Sequence, residues 1–246
     1  MKKILLLIFI LPFSLQIKAQ SEWEIRVMPQ VVFGTRNTIQ RPNDEGTRIY
    51  FNNDFKRKND AVFSPRFELE YSNKRHHAIA TAALLTDKFE GIAKENILYD
   101  GVVFNSGSNI DAVYRFNTYR LGYRYRLVDR PKFIFELGAT ILLREAFVSL
   151  EDNIRKSKFS NVGVAPLLSY RVEWKVTEPM SLLSYGDAFA VKAGRAEDIF
   201  AGAKYKFNQN WSAMLGYRLL EGGSDSDKVY TMATFHFISL GVGFKF

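Results

Sequence analysis

Residues 119–127 read Tyr119-Arg120-Leu121-Gly122-Tyr123-Arg124-Tyr125-Arg126-Leu127. Aromatic or leucine side chains stand at every odd position, arginine or glycine at every even one. Successive side chains of a strand point to opposite faces, so this stretch predicts a β-strand with one apolar and one cationic face. A helix would mix the two sets, because its period is 3.6 residues.

Working outward, the two-residue period recurs and predicts ten strands. They are Glu22–Gly34, Ala61–Tyr71, His76–Thr86, Asp111–Leu127, Lys132–Val148, Asn161–Trp174, Met180–Val191, Glu197–Phe207, Trp211–Leu220 and Val229–Phe246. The third and seventh alternate poorly, which keeps eight strands as an alternative. Pro29, Pro65 and Pro166 fall inside predicted strands, where each removes a ladder donor and calls for a bulge. Short links follow the even strands, at Ser72–Arg75, Val128–Pro131, Lys175–Pro179 and Asn208–Asn210. Longer polar links, Thr35–Asp60, Asp87–Ile110 and Glu151–Ser160, follow the first three odd strands. Short turns on one side and long loops on the other are what bacterial membrane barrels show, with the turns in the periplasm. The expected fold is therefore all-β: a single antiparallel up-and-down transmembrane β-barrel.

Alternation alone does not say which face is wet. A soluble barrel buries the apolar face, whereas a membrane barrel turns it outward. Position supplies the answer. Trp23, Tyr71, Tyr125, Phe133, Trp174, Trp211 and Phe246 all fall at the short-turn end of apolar faces. That predicts a girdle of aromatic rings at one lipid–water boundary. Outer-membrane lipid is then an expected partner.

The N-terminus is read as an address. Met1-Lys2-Lys3 is basic, Ile4–Leu15 is almost wholly apolar, and Ala19 precedes the expected cut. This predicts a cleaved secretory signal over residues 1–19, with the barrel over 20–246. Its apolar core is too short to span a bilayer as a helix. The C-terminus, Ser239-Leu240-Gly241-Val242-Gly243-Phe244-Lys245-Phe246, resembles the terminal targeting signal of small Gram-negative outer-membrane β-barrel proteins. The resemblance is to that broad class. It implies a cell outer membrane location with periplasmic termini, and recognition of Phe244 and Phe246 by the barrel-assembly machinery.

Composition narrows the functional classes. There are no cysteines, so disulfides, thiolate metal sites and a cysteine nucleophile are excluded. The formal charge is +8; discounting Lys2, Lys3 and Lys18 of the signal leaves +5. No dense basic run suggests nucleic acid. Instead the charges fall on the inward parity. Arg26, Arg66, Arg120, Arg124, Arg126, Arg144, Arg171, Lys204, Lys206 and Arg218 face Glu24, Glu68, Glu70, Glu136 and Glu173, with Gly122, Gly138, Gly163, Gly202 and Gly216 making room.

Two readings of that set differ. Paired charges can plug the lumen, giving a structural or surface-interaction protein whose loops Thr35–Asp60 and Asp87–Ile110 form the exposed surface. Alternatively, a two-to-one excess of cations suits a narrow anion-preferring pore for small solutes. A lipid-modifying or proteolytic enzyme is the third option. It is disfavoured because His76 and His77 read as rim residues and His236 as outward-facing, none with an evident catalytic partner. Asp187, Glu197, Asp198, Glu221, Asp225 and Asp227, with Arg195 among them, read as solvated loop acids rather than a calcium site. The expectation is no catalytic residue, no cofactor and no metal.

Overall fold

The computed structural model describes residues 21–191 and 194–246. The expected signal segment lies outside them. Twelve strands form the wall. They are β1 (Ser21–Met28), β2 (Gln30–Gln40), β3 (Arg66–Asn73), β4 (His76–Ala83), β5 (Thr86–Ile92), β6 (Asn109–Arg130), β7 (Phe133–Glu151), β8 (Lys156–Lys175), β9 (Met180–Val191), β10 (Gly194–Lys206), β11 (Trp211–Ser226) and β12 (Val229–Lys245). β2 prolongs β1 beyond Pro29, and β5 prolongs β4 beyond Leu84 and Leu85.

Every pairing in the wall is antiparallel. β1 pairs with β3, β3 with β4, and β4 with β6. From β6 each strand pairs with the next through to β12. β12 then returns to β1, with Glu24 opposite Lys245 and Val27 opposite Val242. The ring has ten members. Phe246 closes its last rung, accepting from the Trp23 amide at 3.0 Å and donating to the Trp23 carbonyl at 2.9 Å. Joining β12 to β1 removes the unpaired rows of N–H and C=O groups that these two strands would present at the ends of an open sheet.

The prolines sit where the pairing tolerates them. Pro29 interrupts the first stave, and its carbonyl still accepts from Leu240 at 3.1 Å. Pro65 separates the two-residue strand Val62–Phe63 from β3. Pro166 lies within β8, opposite Ile141. One bulge skips Leu127 on β6 and another skips Phe33 on β2. The second shifts the alternation, so that Asn37 and Ile39 turn inward beyond it.

The exterior carries the apolar face. Leu121, Ile141, Leu168, Leu215, Ile238 and Leu240 are exposed on five different strands. Toward the long-loop end this band gives way to outward Arg115, Asn117 and Glu145. Among the described residues no helix is long and apolar enough to cross a membrane.

The long loops depart from the expected exposed surface. The stretch read as the loop Thr35–Asp60 instead extends the strand to Gln40. It then folds as Ile49–Tyr50, the one-turn helix α1 (Phe51–Asp54) and Lys56–Arg57. The stretch Asp87–Ile110 lengthens β5 and adds a hairpin of Ile97–Tyr99 and Val102–Phe104. Their apolar side chains turn into the barrel. Ile49, Phe51, Phe89, Tyr99 and Phe104 are buried with Tyr114, Leu150, Phe235 and Phe237 in one cluster. Two polar-looking loops thus form an apolar stopper. The cause is the cost of leaving the rings of Phe51, Phe55, Phe89, Tyr99 and Phe104 in water, since each buries some 150–250 Å².

Candidate functional site

Below the stopper the bore is filled by charge, built on the inward parity of the strands. Seven buried cations (Arg26, Arg66, Arg120, Arg124, Arg171, Lys204 and Arg218) meet six buried carboxylates (Glu68, Glu70, Glu136, Glu173, Asp187 and Asp198). Near-equality corrects the expected two-to-one cationic excess. The missing anions are Asp187 and Asp198, read from the sequence as solvated loop acids. The structure turns both inward from the paired strands β9 and β10, where they stand directly opposite each other.

Asp198 is the hub of the upper charged layer. Arg218 donates to both its carboxylate oxygens, each at 2.5 Å. Arg66 reaches it at 3.2 Å, and Arg120 binds the same carboxylate. Arg218 also donates to Gln30 Oε1 at 2.7 Å, and Gln30 in turn donates to Ser239 at 2.8 Å. Asp187 accepts from Thr140 at 2.8 Å. In the next layer Arg26 bridges Glu68 at 2.8 Å and Glu70 at 2.7 Å, and Arg66 caps Glu68 at 2.5 Å. Toward the short-turn end Arg171 pairs with Glu173 at 2.7 Å and Lys204 with Glu24 at 3.2 Å. Arg124 and Arg126 both hold Glu136, at 3.2 and 3.4 Å.

His77 departs from its reading as a rim residue. It is buried, with Nδ1 2.9 Å from Glu70 and Nε2 3.1 Å from Glu136. Its position on β4, one residue on from outward His76, puts it on the inward parity. These three side chains could converge on a metal ion. However, Arg26, Arg124 and Arg126 already neutralise the two carboxylates. Both ring nitrogens are also engaged, so the arrangement is that of a salt-bridge node. His76 and His236 lie outside the barrel, each bonded to a tyrosine hydroxyl, Tyr123 at 2.7 Å and Tyr217 at 2.6 Å.

Arg144 is the member of the expected network that the structure leaves out of it. It touches Asn161 at 3.2 Å and stands over Phe116, toward the long-loop end. Lys206 is exposed at the opposite mouth. The glycines leave room as the fold requires. Gly202 and Gly216 face each other across β10 and β11, and a Cβ on either would come within 2.8 or 2.6 Å of the Phe200 ring. Of the aromatic set, Trp23, Phe133, Trp174, Trp211 and Phe246 are exposed at the short-turn end. Tyr71, at the same level, packs 4.9 Å from Trp23, and Tyr125 packs 5.2 Å from His76. Phe244 lies outside as well, 4.7 Å from Trp211.

The cavities follow from this filling. A vestibule of about 790 Å³ opens at the short-turn end, lined by Glu24, Arg171, Glu173, Lys204 and Lys245 among others. Among the charges in the middle, the cavity beside Arg66, Glu68, Arg120 and Tyr185 is about 20 Å³. That is room for about one water molecule. A third cavity, of about 340 Å³, opens through the wall between β8 and the β9–β10 hairpin.

No family model matches the sequence, and no curated protein does. Solved structures do share its shape. The outer membrane protease OmpT of Escherichia coli aligns over 92% of this chain and 97% of its own, at 8% identity and a TM-score of 0.57. The beta domain of the Bordetella autotransporter BrkA aligns over 93% and 100%, at 12% identity and a TM-score of 0.46. Ail, the attachment invasion locus protein of Yersinia pestis, aligns over 93% and 100%, at 13% identity and a TM-score of 0.42. The chain has the antiparallel fold of outer-membrane β-barrels, and at such identities the likeness is one of fold.

Proposed function

We propose that this chain spans the outer membrane as a barrel with a blocked bore, and acts structurally or through contacts at its long-loop end. The observation that carries the reading is the filling of the lumen. A charge-balanced layer with a cavity of about 20 Å³ lies under an apolar stopper of buried aromatic rings. Such a bore offers small anions no row of unpaired cations, which is what an anion path requires. The short-turn end, which carries both ends of the described chain, would face the periplasm. We assign the barrel no catalysis. His76 and His236 are held outside by tyrosines and His77 is locked between carboxylates, so no imidazole is poised toward a substrate.

Two measurements test this. In a planar bilayer the refolded protein is expected to insert and remain electrically silent. Steady anion-selective openings, lost when Arg120 and Arg124 are changed to glutamine, would establish the pore instead. The membrane-facing exterior is tested at Leu121, in the middle of the apolar band and exposed. Leu121→Arg is expected to destabilise the barrel in phospholipid vesicles by about 2–4 kcal/mol, the cost of a cation on the lipid face near the midplane. No effect in vesicles would mean that this face is bathed in water.

A further inference from the structure

The barrel wall is incomplete on one side. β8 pairs with β7 from Lys156 to Trp174, but with β9 only from Leu168 to Lys175. β9 continues to Val191, paired with β10 alone. Above Leu168, therefore, β8 presents an unpaired edge among the described residues, and the cavity of about 340 Å³ lies in this gap. The outward residues of that edge, Pro166, Val164 and Val162, are exposed and apolar, and they run from Ile141 in the lipid-facing band up to Glu145 at its margin, so the gap opens at the upper margin of that band. A bare edge at membrane depth is costly, because hydrocarbon supplies no partner for its N–H and C=O groups. Proline at 166 removes one of those donors.

The cleft has two chemistries. Phe116, Leu142, Leu167 and Leu220 give it apolar walls. Arg120 and Arg144 also line it, and the Nε of each is buried with no hydrogen-bond acceptor. Arg120 is 6% exposed and its charge is met by Asp187 and Asp198. No carboxylate among the described residues pairs with Arg144. Arg144 is half-buried with its Nε enclosed, and a guanidinium partly withdrawn from water without an anion is open to an incoming carboxylate. The acids at the mouth do not fill that role. Glu221 is bound to Arg195 and Thr234, and Glu197 falls on the outward parity of β10.

We propose that this cleft binds a long-chain fatty acid, which enters sideways from the membrane with its chain along the apolar walls and its carboxylate at Arg144. The volume sits at the lower end of small-ligand pockets, roughly 300–1,000 Å³, and so suits one acyl chain rather than a multi-chain lipid. The proposal goes beyond the blocked-bore reading but rests on its membrane-facing exterior.

The test is native mass spectrometry of the protein released from detergent micelles after incubation with palmitate. A one-to-one adduct is expected. Arg144→Gln should weaken it roughly tenfold or more, the usual effect of losing a charge-assisted hydrogen bond. Ala165→Trp, which fills the cleft opposite Leu142, should abolish it. Hexadecanol, with the same chain and no charge, should bind wild type as weakly as palmitate binds Arg144→Gln. Heat-modifiable mobility and insertion into vesicles report the barrel independently. An inserted, heat-modifiable protein with no adduct, or with equal adducts in all three proteins, would overturn the cleft proposal and leave the membrane reading standing. Failure of the wild-type protein to insert would overturn both.

Discussion

Asp198→Ala is expected to destabilise the barrel by about 3–5 kcal/mol, the usual cost of breaking a buried ion pair from one side. The carboxylate is 4% exposed and is shared by three guanidinium groups, those of Arg66, Arg120 and Arg218. Removing it leaves three cations in a layer with room for about one water, so hydration does not compensate. Asp198→Asn keeps the shape and one acceptor, and is expected to lose less than the alanine variant. The measurement is urea unfolding in vesicles followed by tryptophan fluorescence, with midpoint and slope compared across the three proteins. A loss below about 1 kcal/mol would mean that the arginines find other partners, and that the layer is not organised around this residue.

Phe235→Ala should cost a similar amount, about 3–5 kcal/mol, by a different mechanism. Phe235 is fully buried in the stopper, with ring centroids 6.0 Å from Tyr114 and 6.3 Å from Phe116 and Phe237. Truncation leaves a void that these rings, anchored on paired strands, cannot collapse to fill. Leu240→Ala is the matched control on the same strand. Its side chain is outside and half exposed, so it should cost far less. The pair of variants separates inner from outer face directly. Equal losses would contradict the inside-out arrangement on which the functional reading depends.

The wall was legible in the sequence because one signal, alternation, was strong on most strands. β6 and β11 carry large apolar groups on one parity and arginine or glycine on the other, and no other element gives that pattern. The signal weakened where the outward face is small. Ala78, Ala80 and Ala82 face out on β4, and Ser184, Gly186 and Ala188 do so on β9. With little contrast across the strand, inward Asp187 looked like a loop residue, and so did Asp198 on the neighbouring strand. His77 was misplaced for a related reason: one residue from a turn, parity alone separates rim from bore. The stopper was hidden because the two faces exchange character toward the long-loop end, where outward Asp111, Arg115, Asn117 and Glu145 are polar and the inward positions are apolar. Read by the rule that held lower down, apolar outward and charged inward, Tyr114, Leu150 and Phe235 point the wrong way. The cleft could not be read at all, since it is a missing pairing between two segments that each look like ordinary strands.

The rung between Trp23 and Phe246 has a temporal consequence. The wall joins β1 to β12, more than two hundred residues apart, so no segment that lacks either one contains a finished ring. Until β12 meets β1, every intermediate displays two raw sheet margins and an apolar skin, both adhesive in water. The decisive contact is also the one of greatest separation along the chain, which slows its formation. How long those margins stay bare is thus set by where the seam lies, and not by any residue within the bore.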